Sequence, residues 1–207
     1  LNRDAKFAGI LRFLRFQIAT RVFNYESIVP WVSDTRFIVS RGQSGITGNL
    51  YCGLMEPTDM CFLLHYLNQS DQFLDVGANV GAYTLLASGV RKCRSYAFEP
   101  VPKTYRKLTE QVRLNDLDEL VTAYNCGVAD KAGELSFTVD FDCQNRVSRV
   151  QTSDSQLVPV VALDSLEIEA RSSVVKIDVE GYEWFVLKGG ERFFSRSTAG
   201  VVIIELN

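Results

Sequence analysis

The chain has 207 residues, 46% of them hydrophobic and 23% charged, with a formal net charge of −3. That composition excludes a disordered chain and predicts one globular domain, large enough to bury a core without disulfides or metal. The acidic balance gives no electrostatic footprint for gripping nucleic acid, which needs a clustered surplus of Lys and Arg. Five cysteines (Cys52, Cys61, Cys93, Cys126, Cys143) form no Cys-x-x-Cys pair, and His65 is the single histidine, so neither a zinc site nor a disulfide framework is expected. Unpaired thiols of this kind suit a reducing, cytoplasmic interior.

In chain order, Phe7, Ile10, Leu11, Leu14, Ile18 and Val22 recur at helical spacing and predict an amphipathic helix over Phe7 to Phe23. Arg12, Arg15 and Arg21 interrupt it well short of the roughly 20 apolar residues of a membrane span, and no signal-peptide cleavage pattern follows. The stripe is expected to pack on the domain or on a partner. Arg36 to Ser40 and Asn49 to Cys52 read as short strands around a glycine-rich turn, Arg41 to Gly48. Pro57 then opens a helix whose apolar face is Met60, Phe62, Leu63, Leu64 and Leu67. Together these elements make an N-terminal helical and hairpin cap, residues 1–68.

From residue 73 the texture changes. Phe73 to Val76, Ser95 to Phe98, Val121 to Val128, Val174 to Val179 and Val201 to Leu206 are apolar runs too continuous for a one-sided sheet. They alternate with helical stretches near Tyr83 to Val90, Pro102 to Asn115 and Tyr182 to Ser195. This is the grammar of an α/β fold with a doubly wound, mostly parallel sheet, here over residues 69–207. Glu134 to Asp140 and Leu157 to Leu163 alternate instead like paired strands, with the polar segment Asp142 to Ser155 inserted between them. Val201 to Leu206 reads as a central strand with a neighbouring place left open, so either the chain is shortened or a partner covers that edge. A homo-oligomer through the N-terminal helix or this sheet edge stays open.

The sharpest motif is Phe73-Leu-Asp-Val-Gly-Ala-Asn-Val-Gly-Ala-Tyr83, a buried strand that runs through Gly77 and Gly81 into a helix. Glycine is wanted where a backbone turns sharply and approaches a ligand, and the helix start offers free N–H groups. Glu99 closes the next strand 22 positions after Gly77, where a carboxylate would accept both hydroxyls of a ribose. A dinucleotide prefers a second glycine where Asn79 stands, and Asp75 would repel a pyrophosphate while suiting a cationic amine. S-adenosylmethionine, with an ammonium, a ribose and no phosphate, fits better. A glycine turn that merely ends a strand is the plainer alternative.

The second motif is Val174-Val-Lys-Ile-Asp-Val-Glu-Gly-Tyr-Glu-Trp184, in which Lys176, Asp178 and Glu180 share a strand face by the period of two. Methyl transfer is an in-line displacement that needs alignment, but an alcohol acceptor also needs a base. Glu180 is the first choice for that catalytic base and Asp178 the second, since Asp178 is also a candidate to hold the methionine amine. The plainer reading has these acids cap the next helix and neutralise Lys176. No metal is assigned, because a third fixed ligand beside Asp178 and Glu180 is not evident from spacing. His65 reads as a packed or hydrogen-bonded helix residue, and Trp31 and Trp184 as core.

These residues resemble the FkbM-type S-adenosylmethionine-dependent methyltransferases. The likeness spans about residues 46 to 207 and rests on Asp75-Val-Gly-Ala-Asn-Val-Gly-Ala-Tyr-Thr84, on Ala97-Phe-Glu-Pro100 with Asn115, and on Lys176-Ile-Asp-Val-Glu-Gly-Tyr-Glu183 followed by Leu187-Lys-Gly-Gly190. The resemblance implies a class I, Rossmann-like methyltransferase fold, S-adenosylmethionine as cofactor, and methylation of an oxygen on a sugar, glycan or natural product. It places the methionyl part at Asp75, Gly77, Ala78, Asn79 and Gly81, and the ribose at Glu99 between Phe98 and Pro100. Glu56, in a segment similar to the one that precedes the cofactor strand, is expected to reach the pocket, and Cys126 and Gly127 to pass the adenine. An NAD(P)-dependent oxidoreductase and a non-catalytic nucleoside-binding module that recruits a partner are the rival readings.

Overall fold

The structure, a computed structural model, describes residues 11, 26–40, 44–138, 155–168, 173–196 and 199–205. The expected amphipathic helix lies outside the described residues apart from Leu11, which is exposed, and so does the polar segment 139–154.

Five parallel strands form the central sheet: β3 (Gln72–Val76), β4 (Arg94–Phe98), β5 (Val121–Tyr124), β9 (Ser173–Ile177) and β10 (Ala199–Ile204), in the order β10-β9-β3-β4-β5. The order reverses on either side of β3, which makes the sheet doubly wound, as the apolar runs predict. Every residue of β3 and β9 is buried, because helices cover both faces. The crossovers are α3 (Ala82–Thr84), which passes directly into π-helical turns at Leu85–Val90, and α4 (Pro102–Leu114). After β9 come α5 (Glu183–Lys188) and α6 (Glu191–Ser195). The single helix expected over Tyr182 to Ser195 is thus two, because the Asp164 carboxylate accepts the N–H groups of Arg192 (3.0 Å) and Phe193 (2.8 Å) and starts a new helix there.

A second sheet, β6-β8-β7, is built from β6 (Gly127–Val128), β7 (Gly133–Thr138) and β8 (Ser155–Val161). The last two pair antiparallel, as their alternation predicts. The expected strand Val121 to Val128 divides between the two sheets. Asn125 interrupts it, its side-chain amide donating to the carbonyls of Glu99 (2.9 Å) and Pro100 (3.1 Å). The strand expected to be central, β10, is an edge of the sheet among the described residues.

Ahead of the sheet, β1 (Ser27–Pro30) and β2 (Arg36–Val39) form a hairpin, followed by α1 (Ser44–Cys52) and α2 (Pro57–Tyr66). The strand expected at Asn49 to Cys52 is helical instead. The buried side chains Ile46 and Asn49 are three apart, and the Asn49 carboxamide oxygen accepts the N–H of Met55 (2.9 Å) beyond the helix end. Helix α2 buries Met60 and Leu63, and Leu67 just beyond its end, as expected, while Phe62 falls off that stripe and stacks on exposed Tyr66. Trp184, expected in the core, is 70% exposed, whereas the half-buried Trp31 indole donates to the Gly53 carbonyl.

The hairpin shares a core with the sheet, since Phe37 and Val39 pack with Val80, Leu85 and Leu108. Gln111 of α4 secures it. Its buried amide accepts the N–H of Ile38 (2.8 Å) and donates to the Ile38 carbonyl (2.7 Å), standing in for a missing strand. Gln111→Ala strands both groups, and a loss of about 2 kcal/mol, or about 5 °C in melting temperature by calorimetry, is expected.

Candidate active site

The site opens where the strand order reverses, at the carboxyl ends of β3, β4 and β9. The backbone leaves β3 through Gly77 at φ +83°, and a Cβ there would lie 1.8 Å from the Asp178 carbonyl oxygen. No other residue fits this turn. The N–H groups of Gly77 and Ala78 both donate to the Phe98 carbonyl, and that of Asp178 donates to the Val76 carbonyl, so the loop is tied to both neighbouring strands. Asn79 takes a left-handed φ of +51°, which asparagine tolerates better than most residues. Gly81, also left-handed, lines neither cavity. A Cβ on it would meet Leu108 of α4 at 2.5 Å, so its smallness serves helix packing rather than ligand approach.

Two adjoining cavities lie along this loop, about 640 and 870 Å³ including their open mouths. The first is lined by Phe98, Glu99, Pro100, Val101, Thr104, Gly127, Val128, Phe137, Val179 and Tyr182. The second is lined by Asn49, Met55, Glu56, Asp75, Ala78, Tyr83, Lys176 and Glu205, among others. Gly77, Asn79, Asp178 and Glu180 line both and mark their boundary. Of the thirteen catalytic and cofactor-binding residues expected from sequence, eleven therefore converge here: Glu56, Asp75, Gly77, Ala78, Asn79, Phe98, Glu99, Pro100, Gly127, Asp178 and Glu180. Cys126 does not. It is buried in the core beside Phe98 and Tyr124, where burial pushes its thiol up to about 11, while its neighbour Gly127 lines the first cavity.

Glu99 is 6% exposed. Its Oε2 accepts the N–H of Asn79 (3.0 Å) and its Oε1 that of Val101 (2.9 Å), so it ties the glycine loop to the start of α4. Burial raises its pKa to about 7 despite those two donors. Asp75, buried at the floor of the second cavity, accepts the Thr84 hydroxyl (2.6 Å), and burial raises its pKa although Lys176 lowers it. Lys176 Nζ lies 2.8 Å from Asp178 Oδ2 and 4.8 Å from the centre of the Tyr83 ring. The Tyr83 hydroxyl donates to Glu56 Oε2 (2.5 Å). Glu205 follows β10, and its pKa is raised first by the charge of Asp178 and then by burial. Sequence reasoning left out Tyr83 and Glu205 as site residues and gave Thr84 no role. The period-two face that pointed to Lys176 carries no signal for a tyrosine in the first turn of a helix.

Among the described residues no cluster of three or more His, Cys, Asp or Glu side chains could hold a metal ion. His65 Nδ1 lies 2.7 Å from the Cys61 carbonyl on exposed helix surface, away from both cavities. No helix of the described residues is long and apolar enough to cross a membrane.

Residues 75–207 match the Methyltransferase FkbM domain. The chain belongs to the FkbM methyltransferase family. It is 31% identical over 149 residues to hexuronic acid methyltransferase AglP of Haloferax volcanii, covering 70% of this chain and 59% of that protein. It is 27% identical over 169 residues to methyltransferase sdnD of Sordaria araneosa, covering 64% and 65%. The chain thus spans about three fifths of the length of the curated relatives it matches. Among solved structures, Methanocaldococcus jannaschii Trm5 in complex with adenosine aligns over 98% of this chain and 52% of that one, at 13% identity and a TM-score of 0.44.

The raised acids carry a pH signature. A carboxyl group whose folded pKa lies above its ordinary 4.5 binds protons more tightly when folded, so its stabilising contribution is present below that value and lost as pH rises toward about 7. Asp75 and Glu205 act in the same direction. The melting temperature of the ligand-free protein is expected to fall between about pH 5 and about pH 7, and Glu99→Gln to flatten that slope, as thermal unfolding across buffers would read.

Proposed function

We propose that this chain supplies the cofactor site and catalytic acids of an S-adenosylmethionine-dependent O-methyltransferase that acts on a hydroxyl of a sugar, glycan or natural product. The observation that carries the reading is the pair of cavities meeting at Gly77, Asn79, Asp178 and Glu180, one holding a buried Glu99 and the other lined with acids. The donor set fits the cofactor. Glu99 stands at the end of the second strand of the motif, where a carboxylate grips ribose hydroxyls, and its neighbours Phe98, Pro100, Val128 and Phe137 offer apolar surface to a base. The second cavity carries Glu56, Asp75, Asp178 and Glu205 against Lys176, a lining that favours a cationic group and opposes a pyrophosphate. When bound, S-adenosylmethionine supplies an electrophilic methyl group.

The residues of the chain then align and deprotonate. Glu180 lines both cavities and so stands at the junction where an acceptor hydroxyl would meet the reactive end of the cofactor. It takes the hydroxyl proton as oxygen becomes nucleophilic. Asp178 is held 2.8 Å from Lys176, which makes it a fixed counter-charge rather than the base. The hexuronic acid methyltransferase relative supports a sugar as acceptor.

Titration calorimetry with S-adenosylhomocysteine tests the reading. Binding is expected for the unaltered protein, Glu99→Ala should weaken it about tenfold or more, and Glu180→Gln should leave it nearly intact. With a sugar acceptor, Glu180→Gln should lower kcat for methyl transfer by about 10²-fold, measured by mass spectrometry of the product. Thermal stabilisation by NAD(H) and none by S-adenosylhomocysteine would instead favour an oxidoreductase.

A further inference from the structure

The acid-lined cavity holds several carboxylates, and their partners distinguish them. We infer that Glu56, fixed by the Tyr83 hydroxyl, rather than Asp75, receives the ammonium group of the cofactor's amino-acid end, with Tyr83 as the positioning residue; this rests on the cofactor reading above.

Asp75 has the poorer claim on a ligand cation. It is 1% exposed, its Oδ2 already accepts the Thr84 hydroxyl at 2.6 Å, and it pairs across the sheet with Lys176. The resident cation Lys176 is itself 5% exposed, lies 2.8 Å from Asp178, and rests over the Tyr83 ring at 4.8 Å. The charge of Asp75 is thus answered from within the protein, and its work is to hold the first turn of α3 through Thr84.

Glu56 differs on each count. It is half-buried, lines the cavity from the segment between α1 and α2, and its carboxylate is held by the 2.5 Å hydrogen bond from Tyr83, which lines the same cavity. Tyr83 is 6% exposed and stands two residues after Gly81, so it carries the position of the glycine loop to a carboxylate on a separate segment. Burial and the Glu56 charge both push its hydroxyl pKa upward, which keeps the phenol a donor. The same ring supports Lys176 on its face. One side chain therefore sets two charged groups at once, directing Lys176 toward Asp178 and Glu56 toward the cavity. A hydrogen bond to a charged group is among the stronger kinds, and a carboxylate held in one orientation loses little entropy on meeting a ligand ammonium.

The test compares two probes, S-adenosylhomocysteine and 5′-methylthioadenosine, which keeps the adenosine and sulfur but lacks the amino-acid group. Titration calorimetry on the full chain, on Glu56→Gln, on Tyr83→Phe and on the double variant reads both. Glu56→Gln is expected to weaken S-adenosylhomocysteine about tenfold or more, and Tyr83→Phe about three- to tenfold, with methylthioadenosine affinity within about twofold throughout. Tyr83→Phe on top of Glu56→Gln should cost nothing further, because the hydroxyl acts through the carboxylate. Methylthioadenosine binding also reports that each variant is folded. Equal losses for both probes, additive losses in the double variant, or a selective loss in Asp75→Asn but not in Glu56→Gln would overturn the assignment while leaving the cofactor reading intact. An unaltered protein that binds neither probe would sink the cofactor reading and this assignment with it.

Discussion

The site depends on how closely two backbones meet beyond β3 and β9. Val76 and Ile177 are still paired in register, and one residue later the chains part, with the Asp178 carbonyl filling the space a side chain on residue 77 would need. On the other side a single acceptor, the Phe98 carbonyl, takes two consecutive N–H groups of the loop. The loop is therefore clamped from both flanks at the point where the sheet changes direction, and the crevice exists because the chain winds from β3 toward β4 on one side and from β9 toward β10 on the other. Charged side chains arrive there from the strand ends Asp75, Glu99, Asp178 and Glu205, so positioning them costs no separate loop.

The electrostatic consequence is a cleft that is uncomfortable by itself. Glu56, Asp75, Asp178, Glu180 and Glu205 line the second cavity against Lys176, and the upward shifts register burial at Asp75 and repulsion by Asp178 at the exposed Glu205. Glu99 adds a carboxylate stripped of water in the first cavity. Such groups lower the stability of the ligand-free protein and strengthen its attraction for a positively charged occupant, the usual exchange between stability and a prepared site. Lys176 keeps the arrangement tolerable. It is tied to Asp178 and to the Tyr83 ring, and its charge also draws the pKa values of Asp75 and Glu205 back down.

Much of this was legible in the sequence because the parallel sheet writes itself in continuous apolar runs, and because Gly77 and Glu99 directly follow strand ends, with Asn79 in the loop just beyond, so that position alone marks them as cavity-lining candidates. Other parts were not. The segment around Gly48 and Asn49 alternates weakly enough to pass for a strand, and only the burial of Ile46 and Asn49 on one side shows a helix. Gly81 carries the same left-handed φ as Gly77, but only the Leu108 contact shows that it serves packing. Trp184 was expected in the core by residue type, yet α5 is short and turns it outward. Tyr83 and Glu205 are remote in sequence from the residues they meet, and no spacing rule joins position 83 to position 56.

The turn that carries Glu180 shows how the fold holds a strained acid in place. Glu180 and Gly181 adopt left-handed φ values of +52° and +93° in succession, a conformation that costs a glutamate about 1 to 3 kcal/mol. β9 ends at Ile177, and three residues later the left-handed pair turns the chain toward α5 and leaves Glu180 lining both cavities. The strain is offset next door: the buried Glu183 carboxylate accepts the Gly181 N–H at 2.8 Å and lies in the first turn of α5, where the helix dipole favours a negative charge. Glu183 is thus an acid that stabilises, and Glu180 an acid held where it would otherwise not stand. Two glutamates three residues apart thus stand differently, one in the first turn of α5 and the other on the cavity boundary, and the backbone between them decides which is which.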